Sequence, residues 1–239
     1  MKCVIMQPTY LPWSGYFNLI AQADVFVFLD DVQFEKGSWQ SRNRILVNGQ
    51  AHFITVPTVR ESLSQHINTI QTDTKQKWRL KHTKLLQATY CKHPYGQAVL
   101  EITNTILDES FALLAELNIN LIAAISEKLN LRPRFVRSSE LNITGQRSER
   151  LLKFCQHFGC AEYISPVGSA EYLAQDGVFE NAPVKLTFQE YTPGVYEQKG
   201  ADDFISHLSI VDVAANIGWD NAAEYVRSGL IPATTEGMK

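Results

Sequence analysis

The sequence predicts an α/β protein built on a mostly parallel, Rossmann-like sheet flanked by helices, with a helical insertion or cap over residues 75–130. Three observations lead there. Val4-Ile5-Met6 and Val25-Phe26-Val27-Phe28-Leu29 are continuous apolar runs of the length and composition of strands buried on both faces. Between them Tyr16, Leu19, Ile20 and Ala23 recur at i, i+3, i+4 and i+7, the spacing of a helix with one buried face. Strand, helix and strand in that order make a right-handed parallel βαβ unit. Open sheets of such units bind ligands at the carboxyl ends of their strands.

The segment from Gln7 to Gly15 is the connection at that end of the first strand. It is long for a strand-to-helix loop and rich in rigid and aromatic residues, so Gln7, Pro8, Tyr10, Trp13 and Gly15 are candidate binding residues, with Tyr16 at the helix start. The second strand ends in Asp30-Asp31, carboxylates on the ligand side of the sheet. They suit a metal, a ribose or an ammonium group, and equally a turn cap. A loop carrying Trp39 follows. Arg42-Asn43-Arg44, if extended, points both cations to one face.

Ile45-Leu46-Val47 and His52 to Val56 flank Asn48-Gly49, the pair that supplies the positive φ angles of a two-residue hairpin turn, and Pro57 ends the hairpin. It either extends the sheet at an edge or forms a flap beside the first loop. Ile67 to Ile70 is a weaker extended segment. From Lys75 to about Leu129 the periodicity is helical: Trp78, Leu85, Leu86 and Tyr90 form one stripe, broken at His93-Pro94. A second begins at Val99, and a third holds Ile122, Ile125 and Leu129 behind Asn118 as N-cap.

Phe135-Val136-Arg137 returns to the sheet, with Ser139 at its carboxyl end. Residues 144–150 open a helix whose free amides, with Arg147 and Arg150, suit a phosphate or carboxylate, or else form an ordinary capped surface helix. Glu162-Tyr163-Ile164 is a short strand followed by a turn holding Ser165 and Gly168. Val184 to Phe188 alternates like a half-exposed strand. Leu208 to Gly218 reads as a helix ending in glycine, and Ala222 to Ser228 as a last short one. No repeat or linker divides the 239 residues, so one domain is expected over 1–239, with residues 233–239 fraying.

Composition narrows the function. The chain is 45% hydrophobic and 20% charged with a net charge of −3, which gives no global argument for nucleic acid. Lys75, Lys77, Arg79, Lys81, Lys84 and Lys92 crowd one segment, as a solvated helix face or as an RNA contact. No window approaches a bilayer span and no apolar leader is present, so a cytoplasmic protein without membrane insertion is expected. Four cysteines in this length do not form a disulfide framework. Cys155-x-His157-x-x-Cys160 imitates a metal site, yet on a helix His157 turns roughly 200° from Cys155, so no metal site is assigned. Gly-x-Gly-x-x-Gly, the Walker loop and Gly-x-Ser-x-Gly are absent, against dinucleotide, P-loop and common hydrolase chemistry.

Residues 7–17, Ala23 to Gln33, Trp39 to Arg44 and Leu208-Ser209-Ile210-Val211-Asp212 together resemble the WbqC-like protein family. The resemblance implies a bacterial protein of surface polysaccharide (O-antigen, lipopolysaccharide) clusters, with a suggested glycine transferase activity on an amino sugar. A fainter likeness is to the nucleotidyltransferase superfamily that includes pantothenate synthetase. There, the place of Trp13-Ser14-Gly15-Tyr16 is taken by a His-x-Gly-His pattern; this chain keeps the glycine and lacks both histidines.

The expected function is thus transfer of a glycyl or similar small acyl group onto an amino sugar carried on a nucleotide or lipid. Gln7, Tyr10 and Trp13 would line the pocket. Asp30 and Asp31 would bind the amine or Mg²⁺ and supply the base, with Tyr16 donating a hydrogen bond. Arg42, Arg44, Arg147 and Arg150 would hold phosphate. Activating glycine implies ATP with Mg²⁺, or an activated donor such as a charged tRNA. The alternative is a non-catalytic sugar-nucleotide-binding or nucleotidyltransferase-like protein. The sequence names neither the cofactor nor the oligomeric state.

Overall fold

The computed structural model describes residues 1–231, and the tail expected to fray from residue 233 lies outside them. β1 (Lys2–Met6), α1 (Ser14–Gln22) and β2 (Val25–Phe28) form the expected unit, with the strands parallel and Cys3 opposite Val25. A hairpin of β3 (Arg42–Val47) and β4 (Gln50–Thr55) follows. Its turn residues Asn48 and Gly49 have φ of 50° and 75°, as a two-residue turn demands. Among the described residues the hairpin pairs only with itself, so it is a flap and not an edge of the main sheet. β5 (Thr58–Val59) and β6 (Gln71–Thr72) form a minimal antiparallel pair, and Ile67–Thr69 is a 3₁₀ turn where an extended segment was expected.

Three helices come next: α2 (Trp78–Tyr90), α3 (Gly96–Asp108) and α4 (Leu114–Lys128). α4 begins four residues before Asn118, which is therefore not its cap. Asn118 is fully buried on the helix interior, and its amide donates to the carbonyls of Pro8 and Gln40 at 3.1 and 2.8 Å. Burial of a side-chain amide is tolerable because these two loop carbonyls take its donors.

β7 (Arg134–Arg137) pairs with β2; α5 (Arg147–His157) leads to β8 (Glu162–Ser165), which pairs with β1 on its other side. α6 (Ala170–Asp176) and β9 (Lys185–Phe188) complete the sheet, and α7 (Ile210–Ser228) closes the described chain. All pairings in the five-stranded sheet are parallel, in the order β7-β2-β1-β8-β9. α7 takes in both helices expected at this end, broken only by a kink at Gly218, where φ is 80° and ψ 163°.

Alternation along the strands divides the core. Val4, Phe26 and Phe28 face α1, α7 and the helices α2 to α4; Cys3, Ile5, Val25 and Val27 face α5 with Leu151, Phe154 and Cys155. Crossovers on opposite faces place α1 and α5 on either side of the sheet. Strand order therefore reverses between β1 and β8, and the crevice beyond their carboxyl ends is the topological switch point where such sheets take ligands. Among the described residues, no helix is long and apolar enough to cross a membrane.

Candidate active site

A continuous cleft runs along the carboxyl edge of the sheet at that switch point, in three compartments that share walls. The first, about 320 Å³, is lined by Met6, Thr9, Trp13, Tyr16, Trp39, Asn43, Arg44 and His207. The second, about 390 Å³, lies over Gln7, Leu29, Glu35, Pro166 and Tyr172, and meets the first at Met6, Thr9 and Trp39. The third, about 410 Å³, reaches the start of α5 at Gly145, Arg147 and Arg150, and shares Leu29, Leu151 and Tyr172 with the second. Each is of the size that holds a small ligand.

The first compartment is assembled by three segments tied to one another. Ser209 N donates to the Arg44 carbonyl and Ile210 N to that of Pro12, both at 2.8 Å, so the first loop, the flap and the start of α7 are held together. Ser209 also caps α7, its hydroxyl accepting from Val211 N. Trp13 folds back over the start of α1, which explains Gly15. A Cβ at Gly15 would stand 2.2 Å from the indole, so only glycine leaves the ring room. Gly15 thus shapes the wall from behind, and its carbonyl accepts from Gln189 at 2.7 Å.

Trp39, 50% exposed, faces the same space with Arg44 over its ring at 5.9 Å. Thr9 Oγ1 and Arg44 Nε are buried here without a hydrogen-bond partner among the described residues. Asn43 is fully engaged, donating to the Tyr10 carbonyl and accepting from Arg44 N. Tyr16 donates to the Gln7 carbonyl at 3.0 Å, and burial pushes its phenol far above its ordinary pKa, so it stays protonated.

The paired acids have a different setting. Asp30 is wholly buried and accepts from Arg137 Nε, Ser138 Oγ, Ser139 N and Ser139 Oγ at 2.8 to 3.1 Å. Asp31 is clasped by two guanidinium nitrogens of Arg150 and shares the single Ser138 hydroxyl proton with Asp30. Burial pushes the Asp31 carboxyl up, but the hydrogen bonds of Arg150 and Ser138 outweigh it and hold the group below the usual range. Arg137 continues the network to Glu116 at 2.7 Å. Mg²⁺ needs free carboxylate oxygens, and here N–H and O–H donors take them, so this pair does not fit the ion.

The same network commits Ser139 and Arg150; Arg150 also donates from Nε to the Ile143 carbonyl, leaving little for a phosphate. Arg147 is exposed, 3.4 Å from Asp176, and it remains at the third compartment. Arg42 lies over Phe53 at 4.4 Å, outside all three compartments. Tyr10 is buried behind the first compartment, its hydroxyl 2.9 Å from His82 Nδ1. Pro8 is buried, Ser165 is buried at the end of β8, and Gly168 is exposed beside the cleft walls Pro166 and Ser169. Gln7 lines the second compartment, its side-chain oxygen held by Gln40 at 2.8 Å.

Sequence reasoning missed Thr9, Glu35, Tyr172 and His207. His207 has φ of 59°, unusual for a non-glycine residue, and its ring lies 4.6 Å from that of Trp13. The signal for it was adjacency to the Leu208 to Asp212 motif. The imitation metal site is not assembled: Cys155 and Cys160 are buried beside Cys3 while His157 is exposed against Phe158.

A parallel α/β sheet with a ligand-sized cleft at its switch point defines a Rossmann-like protein. More particularly, the pattern of the WbqC-like protein family matches residues 7–224, and this chain belongs to that family. It is 31% identical over 229 residues to the uncharacterized protein Rv1507c of Mycobacterium tuberculosis (strain ATCC 25618 / H37Rv), over 95% of this chain and 97% of that one. No solved structure matches.

Proposed function

We propose that this protein is an enzyme of bacterial surface polysaccharide synthesis that transfers a small acyl group, glycyl foremost, onto an amino sugar carried on a nucleotide. The observation that supports the reading most is the first compartment. Two indoles give plates for the apolar face of a sugar ring, while Thr9 Oγ1 and Arg44 Nε are buried hydrogen-bonding atoms with no partner among the described residues. Such atoms cost about 1–3 kcal/mol each unless a ligand or water satisfies them. A hydroxylated, phosphate-bearing ligand would do so.

The remaining length of the cleft gives room for the nucleotide, with Tyr172 as a stacking surface and Arg147 at the far end. Asp30 and Asp31 become scaffold in this reading, because their oxygens are already taken.

Isothermal titration with UDP-glucosamine tests it, with UDP and glucosamine as separate probes. UDP-glucosamine should bind more tightly than either part, and Trp39→Ala should weaken it about tenfold, or ~1.4 kcal/mol. Equal binding by wild type and variant would remove the compartment from recognition. A non-catalytic sugar-nucleotide-binding protein would bind alike and form no product with any glycyl donor.

A further inference from the structure

Acyl transfer to an amine needs a base at the amine, and few groups at the cleft are free to serve. Asp30 and Asp31 are engaged by six donor groups on Arg137, Ser138, Ser139 and Arg150. Tyr16 donates to a carbonyl and holds its proton. Glu35 is exposed on the second compartment and does not line the first, where the two indoles and the unpartnered Thr9 and Arg44 atoms meet. His207 is on the first compartment itself, at its rim.

Four features define its geometry. Trp13 packs on the ring at 4.6 Å with 31° between the planes. Ser206 Oγ lies 2.9 Å from Nδ1, and Arg44 Nη2 donates to the His207 carbonyl at 3.3 Å. The backbone holds φ at 59°, a conformation that costs about 1 kcal/mol or more in a non-glycine residue and persists where neighbours impose it. In the tautomer whose Nδ1–H donates to Ser206 Oγ, Nε2 carries the lone pair and has no partner among the described residues.

We propose that His207 is the general base of this site, its Nε2 taking a proton from the amino group of the sugar, in the tautomer whose Nδ1–H donates to Ser206. The assignment rests on the acyl-transfer reading above. In the step, the amine nitrogen bonds to the carbonyl carbon of an activated glycyl ester or anhydride. The bond from that carbon to the donor's oxygen breaks, its electron pair leaving on oxygen, and the amine proton passes to Nε2. No oxidant or reductant is involved. Partial burial and the Arg44 guanidinium facing it from β3 hold the imidazole below its usual pKa, so at pH 7 it is neutral and able to accept.

The test uses the full chain with UDP-glucosamine as acceptor and, in separate reactions, glycyl adenylate, glycine p-nitrophenyl ester and glycyl-tRNA as donors, N-glycyl product being read by mass spectrometry above the uncatalysed background. His207→Asn keeps a side chain that tolerates positive φ. It should retain UDP-glucosamine affinity within about threefold and lose turnover about 100-fold or more, with recovery on adding imidazole. Ser206→Ala should lose turnover several-fold.

A His207→Asn variant that turns over at the wild-type rate overturns the base while leaving acyl transfer intact. Loss of turnover in Glu35→Gln together with an unaffected His207→Asn does the same and moves the base to the second compartment. A wild-type protein that binds UDP-glucosamine yet forms product from none of the donors overturns acyl transfer, and the base with it.

Discussion

At the scale of single residues, chemistry-bearing types were legible and their free valences were not. Asp30-Asp31 at a strand end is a sound pointer to the ligand side of the sheet. What a carboxylate does there depends on how many donors converge on it, and those come from Arg137, Ser138, Ser139 and Arg150, more than 100 residues away in the chain. Removing charge from Asp30 therefore acts on stability first. Asp30→Asn exchanges an acceptor of four hydrogen bonds for an amide whose NH₂ meets donors, and leaves the partly buried Arg137 with Glu116 as its one carboxylate partner. A loss of about 2–4 kcal/mol is expected in urea denaturation. A variant as stable as wild type but inactive would return Asp30 to the chemistry. His207 shows the opposite limit: a lone histidine in an irregular stretch has no periodicity to mark it, and only the Trp13 contact and the positive φ single it out.

Elements were legible where the pattern is local. Two apolar runs, the Asn48-Gly49 turn and the stripe on α1 each follow from side-chain period or backbone sterics within a few residues. Asn118 was misplaced because asparagine at a helix start and asparagine pinning a distant loop look the same in sequence; carbonyls of Pro8 and Gln40 decide the matter. The sequence pattern places Gly218 at a helix end, and in the structure it is the kink inside α7. A Cβ there would lie 3.0 Å from the Tyr95 ring, close enough that this half-exposed ring must shift to admit it. With φ at 80° and ψ at 163°, Gly218→Ala combines backbone strain with that contact. It should cost about 2–3 kcal/mol, whereas alanine at Gly168, with nothing within 4 Å of its Cβ position and no positive φ, should be near neutral. Equal midpoints for the two variants would contradict this reading of the kink.

Across the whole molecule, two buried titratable groups, on α2 and α7, have effects on stability that run in opposite directions. His82 on α2 links Tyr10 of the first loop to the Thr55 carbonyl of the flap, and burial lowers its pKa to about 4 from 6.5. Asp212 on α7 receives Tyr90, Tyr196 and Gln198; burial raises its pKa to about 6 from 3.8, against the hydrogen bonds. A depressed folded pKa gives stability that is present above 6.5 and lost as pH falls toward 4. A raised one gives stability that is present below 3.8 and lost as pH rises through about 6. At 1.36 kcal/mol per pKa unit each amounts to about 3 kcal/mol, so between pH 4 and 6 the two slopes offset one another. The wild-type protein should show a shallow stability profile there. Asp212→Asn should expose the histidine and lose stability steeply on acidification, while His82→Gln should expose the aspartate and lose it as pH rises. Asp31, with its lowered pKa, acts below about 4 and falls outside the window, whereas His93 and His207, also held below the usual imidazole range, add an acid-side loss that is common to all three proteins. Urea midpoints at pH 4, 5, 6 and 7 for the three proteins separate these cases. Variants that merely displace the wild-type curve, without opposite changes of slope, would show that the two groups do not titrate on folding.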